Sequence, residues 1–251
     1  MIEAPQSFVT RQECDKVAFQ NGFRRSHGET EGWRRYSSTT AQGSIWLARD
    51  ATDGWLIAID HGGVIEELGI AGAVVEGPGL ARYAFATLGE LYALMPRVYQ
   101  LAASLPDAPL AQFHSRVKDL PTSTEAERLV VQRIGQDVFR SGLLEYWQRR
   151  CPLTGISDEP LLRASHIIPW KECESDAERL DVHNGLLLSA LWDAAFDRGL
   201  VSFDDAGQPL FSPTLGEMAR SELRWQQPIA LTDKHRARLA WHRSYLFKAE
   251  K

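Results

Sequence analysis

Hydrophobic and polar positions recur in short runs over the first third of the chain and then change to helical spacing. WRRYSS (33–38), SIWLARD (44–50), GWLIAID (54–60) and GVIEELG (63–69) read as strands, separated by small clusters of Gly, Asp and Thr. Such clusters are the chemistry of hairpin turns, so an antiparallel sheet is expected. TRQECDKVAFQN, from Thr10 to Asn21, predicts a short helix ended by Gly22. LARYAFATLGELYALMPRVYQLAAS (80–104) has helical spacing, with Pro96 as a break or kink. Residues 1–105 therefore read as a small α+β domain. The next stretch, PDAPLAQFHSRVKDLPTS (106–123), has three prolines and few large apolar residues, and reads as a linker.

A capping box, Thr124 to Glu127, opens a helix that runs on through ERLVVQRIGQDVFRSGLLEYWQRR. Leu129, Val130, Ile134, Val138, Leu143 and Trp147 fall near one stripe. Arg133, Arg140, Arg149 and Arg150 make the outer side partly basic, which suits either phosphate contact or simple solvation. Cys151 to Gly155 then forms a turn into RASHIIPW (163–170). His166 ends a short apolar run ahead of Pro169, where a strand should give way to a loop with the ring exposed. Eighteen positions later comes Asn184, and beyond it a helix in which Asp193 and Asp197, spaced i and i+4, share one face. Two carboxylates so placed repel unless a cation lies between them, and oxygen ligands suit a hard divalent ion such as magnesium. Trp192, Phe196 and Leu200 occupy the neighbouring stripe and read as core. LVSFDDAGQPLF reads as a hairpin turning around Asp205 to Gly207. The tail from Leu231 predicts a basic amphipathic helix, in which Lys234, Arg236, Arg238, Arg243 and Lys248 outnumber Asp233 and Glu250. It can ride along a DNA backbone or pack on its own domain through Leu239, Trp241, Tyr245 and Leu246.

The A-x-H-I-x-P-W segment and the N-G-L-L-L…F-D-x-G segment resemble those of the HNH endonucleases, over roughly residues 124–220. The resemblance implies two strands and a helix around one metal ion. His166 then corresponds to the base, Asn184 to the residue whose amide shapes the loop, and Asp193 and Asp197, nine and thirteen residues beyond it, to the metal ligands. Ser165 stands where many members place an Asp or His ligand, so it is a weak ligand at best, its bond replaceable by water or a main-chain carbonyl. Many members also hold a structural zinc with two CxxC pairs. Here Cys151 is followed three positions on by Thr154, and no structural zinc is expected. The fold class implied is α+β: an N-terminal antiparallel sheet with helices, linked to a C-terminal ββα-metal nuclease domain (124–251) with flanking helices.

The function implied is a metal-dependent DNA endonuclease that uses one Mg2+ or Mn2+, of the restriction or defence type. Arg163, Lys171, Arg140 and Arg198 are the candidate phosphate contacts. The N-terminal domain would choose the site, with Trp33, Trp46 and Trp55 and the arginines 24, 25, 34 and 35 as an aromatic and basic surface for a modified base. Two other readings stand beside it: a nonspecific nuclease switched on by a ligand of the front domain, and a nucleic-acid-binding module with an inactive metal unit. The structural alternatives are a satisfied core His166, and acids bonded to Arg163, Arg179 or Arg198.

Composition changes this picture little. The 251 residues, 44% hydrophobic and 24% charged, leave room for two modest domains. A net charge of −5 excludes a uniformly basic coat but not a local basic cleft. Cys14, Cys151 and Cys173 form no disulfide framework and fit a reducing cytosol. No apolar run approaches the roughly 20 residues of a membrane span, so a soluble, cytoplasmic protein is expected. Cutting both strands with one metal per chain would call for a homodimer.

Overall fold

The computed structural model describes residues 2–121 and 123–249. Glu250, counted above with the basic tail, lies outside them. The chain divides into two units, 1–108 and 109–251.

In the first unit, α1 (Phe8–Gln20) is capped by Ser7, whose hydroxyl accepts from the Thr10 N–H. Five strands follow: β1 (Arg25–Thr30), β2 (Trp33–Ser37), β3 (Ser44–Arg49), β4 (Trp55–Ile59) and β5 (Ala81–Phe85). They pair in sequence order, every pair antiparallel. One face, with Tyr36, Ile45, Leu47, Ile57 and Ile59, is buried in the same core as Cys14 and Val17 of α1 and Leu91, Met95 and Val98 of α3 (Leu88–Ser104). The other face holds a smaller apolar patch of Trp33, Ala48, Leu56 and Ala58.

Four differences from the sequence reading stand out. β1, RSHGET, carries no apolar alternation and is held to the sheet by its ladder with β2. The segment 62–68 is not a strand but α2 (Gly62–Leu68), capped by His61 and closed by Gly69 in the left-handed region, with Val64 as its buried position. The start of the long helical stretch is instead β5, with Tyr83 opposite Ile57, and α3 begins only at the Thr87–Glu90 capping box. Pro96 sits inside α3 without ending it, because the one backbone bond a proline removes is outweighed by the buried face of that helix.

The expected linker contains α4 (Asp107–Val117), which buries Pro109 and Phe113. Its prolines lie in the first turn or outside the helix, where a missing N–H costs nothing. The second unit then runs α5 (Glu125–Tyr146), β6 (Leu162–His166), α6 (Asp176–Leu180), β7 (Gly185–Ser189), α7 (Ala190–Asp197), β8 (Val201–Phe203), β9 (Pro209–Phe211), α8 (Glu217–Glu222) and α9 (Asp233–Tyr245). β6 and β7 form an antiparallel pair with His166 opposite Gly185; α5 and α7 both pack on it. β8 and β9 are the expected hairpin. On α5 only the second half is core, through Val138, Phe139 and Leu143, whereas Leu129 and Val130 are exposed.

α9 is held to its own unit. His235, Leu239 and His242 form the buried stripe, while Tyr245, expected to pack, is exposed. Its arginines are committed within the unit: Arg238 to Asp181, Arg243 to the Phe203 carbonyl and Asp205, and Arg236 to the Asp205 carbonyl and Asp233. Among the described residues no helix is long and apolar enough to cross a membrane.

Candidate active site

β6 carries Leu162 and Ser165 buried and His166 half-buried at its end. Past His166 the ladder is continued by one residue, through its main chain and its side chain. The Asn184 carbonyl accepts from the Ile167 N–H at 2.9 Å, its amide oxygen accepts from the Ile168 N–H at 2.9 Å, and its amide nitrogen donates to the Ile168 carbonyl at 3.1 Å. The same nitrogen lies 3.3 Å from the Cys173 sulfur and 3.4 Å from the Glu178 carbonyl. Asn184 is wholly buried, with every polar atom of its amide used inside the loop. It is therefore a positioning residue, as its predicted loop-shaping role requires, and has nothing left to offer a substrate.

The His166 ring is not exposed, contrary to expectation. It stacks on Phe139 of α5 at 3.7 Å between ring centres, and Trp170 meets its edge at 5.6 Å. Its Nε2 lies 2.9 Å from the Arg179 carbonyl. A carbonyl only accepts, so Nε2 bears the proton and Nδ1 carries the lone pair. Burial lowers the imidazole pKa to about 4, against the opposing pull of that carbonyl, so the ring is neutral at pH 7. Arg179 is itself fixed by bonds to the Trp170 and Cys173 carbonyls and to Asp176. Phe139, Trp170 and Arg179 thus orient the ring. Sequence reasoning had assigned none of them this role, and a main-chain acceptor such as the Arg179 carbonyl leaves no trace in residue identity.

The two acids stand on α7. The Ser165 hydroxyl donates to Asp193 at 2.6 Å, seating that carboxylate beneath β6. Asp197 follows one turn on, exposed, with its pKa raised to about 6 by loss of solvent and by the negative charge of Asp193. For the acids, the alternative of an ion pair with arginine is not formed among the described residues: Arg163 bonds the Pro160 and Leu162 carbonyls, Arg179 bonds Asp176, and Arg198 bonds the Ala194 carbonyl. Among the described residues neither acid has a basic ion-pair partner, and no three His, Cys, Asp or Glu residues converge. Two carboxylates and a hydroxyl are all-oxygen donors. They fit an ion like magnesium, which is commonly held by one or two carboxylates and keeps several waters.

Gly199, at φ 66, ends α7 and lets the tail pass so close that a Cβ there would lie about 2 Å from the Leu246 carbonyl oxygen. Ser165 and His166 are neighbours in one strand, so their side chains leave opposite faces: Ser165 toward Asp193, His166 toward Phe139. The structure joins Ser165 to Asp193 and His166 to the Asn184 loop, and no hydrogen bond links the imidazole to either acid. Of the predicted phosphate contacts, Arg140 braces the Leu162 and Glu159 carbonyls with both terminal nitrogens and is structural. Lys171 is exposed beside Glu172, and Arg163 and Arg198 are exposed with only local carbonyl bonds.

Residues 151–204 match a family model described as HNH endonuclease. No curated protein matches the chain. The matched stretch runs from Cys151 through β6, the Asn184 loop, β7 and α7 to the end of β8, so the family motif and the ββα unit coincide.

Proposed function

We propose that the second unit is a divalent-metal-dependent DNA endonuclease, with Asp193 and Asp197 as the metal-holding acids and His166 as the base. The observation that carries this reading is the Ser165–Asp193 bond, which seats one of two neighbouring acids, neither ion-paired among the described residues, against the residue that precedes His166. A bound magnesium or manganese ion would stabilise charge building on the phosphate and on the leaving 3′ oxygen. His166 takes a proton from the attacking water at Nδ1, which makes no hydrogen bond within the described residues; Nε2 stays protonated against the Arg179 carbonyl. Asn184 keeps the turn after β6 in shape, and Arg163, Arg198 and Lys171, all exposed, would meet the phosphates.

Plasmid cleavage in magnesium and in manganese tests it. His166→Ala should cut at least about a hundredfold more slowly while still binding DNA, in line with the loss of a general base; undiminished cutting by a contaminant-free preparation of that variant would remove the assignment. Asp193→Ala should lose activity across the whole metal titration.

We infer a restriction or defence role in which the first unit chooses the DNA; a separate folded unit ahead of a small nuclease core supports that reading. Selective cutting of modified over unmodified plasmid supports it. Cutting only after a further factor is added favours the ligand-switched nuclease, and binding without cutting favours an inactive metal unit.

A further inference from the structure

The sheet face turned away from α1 and α3 carries a row of cross-strand neighbours, Arg35, Trp46, Ala58 and Arg82, one from each of β2 to β5. The segment after α2 crosses this face as a strap. Gly77 passes over Trp33 so closely that a Cβ there would meet the indole at 2.6 Å, and the Arg82 guanidinium gathers the carbonyls of Gly77, Pro78 and Gly79 at 3.0–3.3 Å. The strap divides the face into two grooves of about 470 and 680 Å3, both in the range of roughly 300–1,000 Å3 typical of small-molecule pockets.

The larger groove has a built floor. Arg35 reaches Ser44 Oγ with Nε (3.3 Å) and Nη2 (3.1 Å), which holds its guanidinium 5.4 Å from the centre of the Trp46 ring. One wall is the bulge in β1 between Ser26 and Glu29, where Gly28 at φ 87 faces open space and His27 is tied to Ser37 Oγ at 2.7 Å. Glu31 and Glu76 also line it. The three tryptophans do not form one surface, as the sequence had suggested: Trp55 lies on the opposite face beside Arg49, and Arg34 is bound to Asp15 and Tyr36 in that same layer.

Two carboxylates disfavour a free phosphate inside this groove. A neutral planar ring bearing N–H donors and carbonyl acceptors suits both sets of edges: Glu31 and Glu76 accept, Arg35 donates, and the Arg35 guanidinium, lying over the Trp46 ring that supports it, offers a planar surface for stacking. We propose that this groove of the first unit binds a single unstacked nucleobase, extruded from DNA. The source in DNA rests on the nuclease reading above; the groove's chemistry does not.

The test uses the full chain in EDTA, so that no cleavage enters the readout. Fluorescence anisotropy compares a labelled duplex containing one unpaired base with the same duplex abasic at that position, and free nucleosides are added as competitors. The unpaired-base duplex should bind about tenfold more tightly, Trp46→Ala should erase that difference, and Arg35→Ala, at an exposed site that leaves the fold intact, should narrow it. Equal binding of the two duplexes together with saturable binding of a nucleoside, lost in both variants, would assign the groove to a free base rather than to DNA. Equal binding with no nucleoside bound, or full discrimination retained by both variants, overturns the proposal. Either result leaves the cleavage assay, and the nuclease reading, to stand or fall separately.

Discussion

At the scale of residues, histidines in the second unit illustrate how placement sets chemistry. His242 is fully buried, stacked on Phe196 at 4.0 Å, with Nε2 near the Phe196 carbonyl and Nδ1 at 3.0 Å from the Ser202 hydroxyl. Burial above all, with Arg243 adding to it against the carbonyl, lowers its pKa to about 4. A histidine depressed from 6.5 to about 4 takes up its proton in the unfolded chain first. Its contribution to stability is therefore complete above about pH 6.5 and lost as pH falls toward 4. A thermal melt series should show His242→Gln flattening this acid loss, by up to about 3 kcal/mol at pH 4; a parallel slope in both proteins would contradict the burial argument. Asn184→Ala is expected to be costly for another reason: it removes a fully buried amide and strands the Ile168 N–H and carbonyl in a half-buried turn, for about 1–3 kcal/mol. Denaturant unfolding measures that directly.

At the scale of elements, α5 is the wall against which the base is set. Its Gly135 faces Trp170, and a Cβ there would sit 2.5 Å from the indole. Alanine is the better helix former by about 1 kcal/mol, whereas overpacking typically costs about 1–3 kcal/mol. The clash should win, since Trp170 is confined between His166 and the Arg179 guanidinium. Gly135→Ala is thus expected to lower both the melting temperature and the cleavage rate; a stabilised, fully active variant would show that the indole moves freely.

At the scale of the whole molecule, the division at 108 and 109 falls within the first turn of α4. A fragment must therefore begin ahead of Asp107 to keep that helix, which buries Phe113. A fragment from Pro106 onward is expected to unfold in one cooperative transition and to retain metal-dependent cutting with diminished choice of substrate. Calorimetry and cleavage of mixed plasmids report the two halves of that expectation. Unchanged selectivity would move recognition into the second unit.

Local pattern sufficed for much of this protein. The short runs WRRYS, SIWLAR and WLIAI, bounded by Gly, Asp and Thr turn clusters, mark three central strands, the Thr124–Glu127 box marks the start of α5, and the order and spacing of His166, Asn184, Asp193 and Asp197 mark the nuclease motif. These features are carried by near neighbours or by residue identity, and so survive in one dimension. Tertiary structure alone decided what depends on partners distant in sequence. The polar β1 becomes a strand only because β2 offers it a ladder, and the expected linker becomes helix because Phe113 is buried in the second unit. His166 becomes a neutral, oriented ring because Phe139 and the Arg179 carbonyl enclose it, and Asp193 is seated by a hydroxyl twenty-eight positions away. Side-chain identity sets what each group can do, whereas desolvation and neighbouring dipoles set its protonation and aim, and those exist only once the chain has folded.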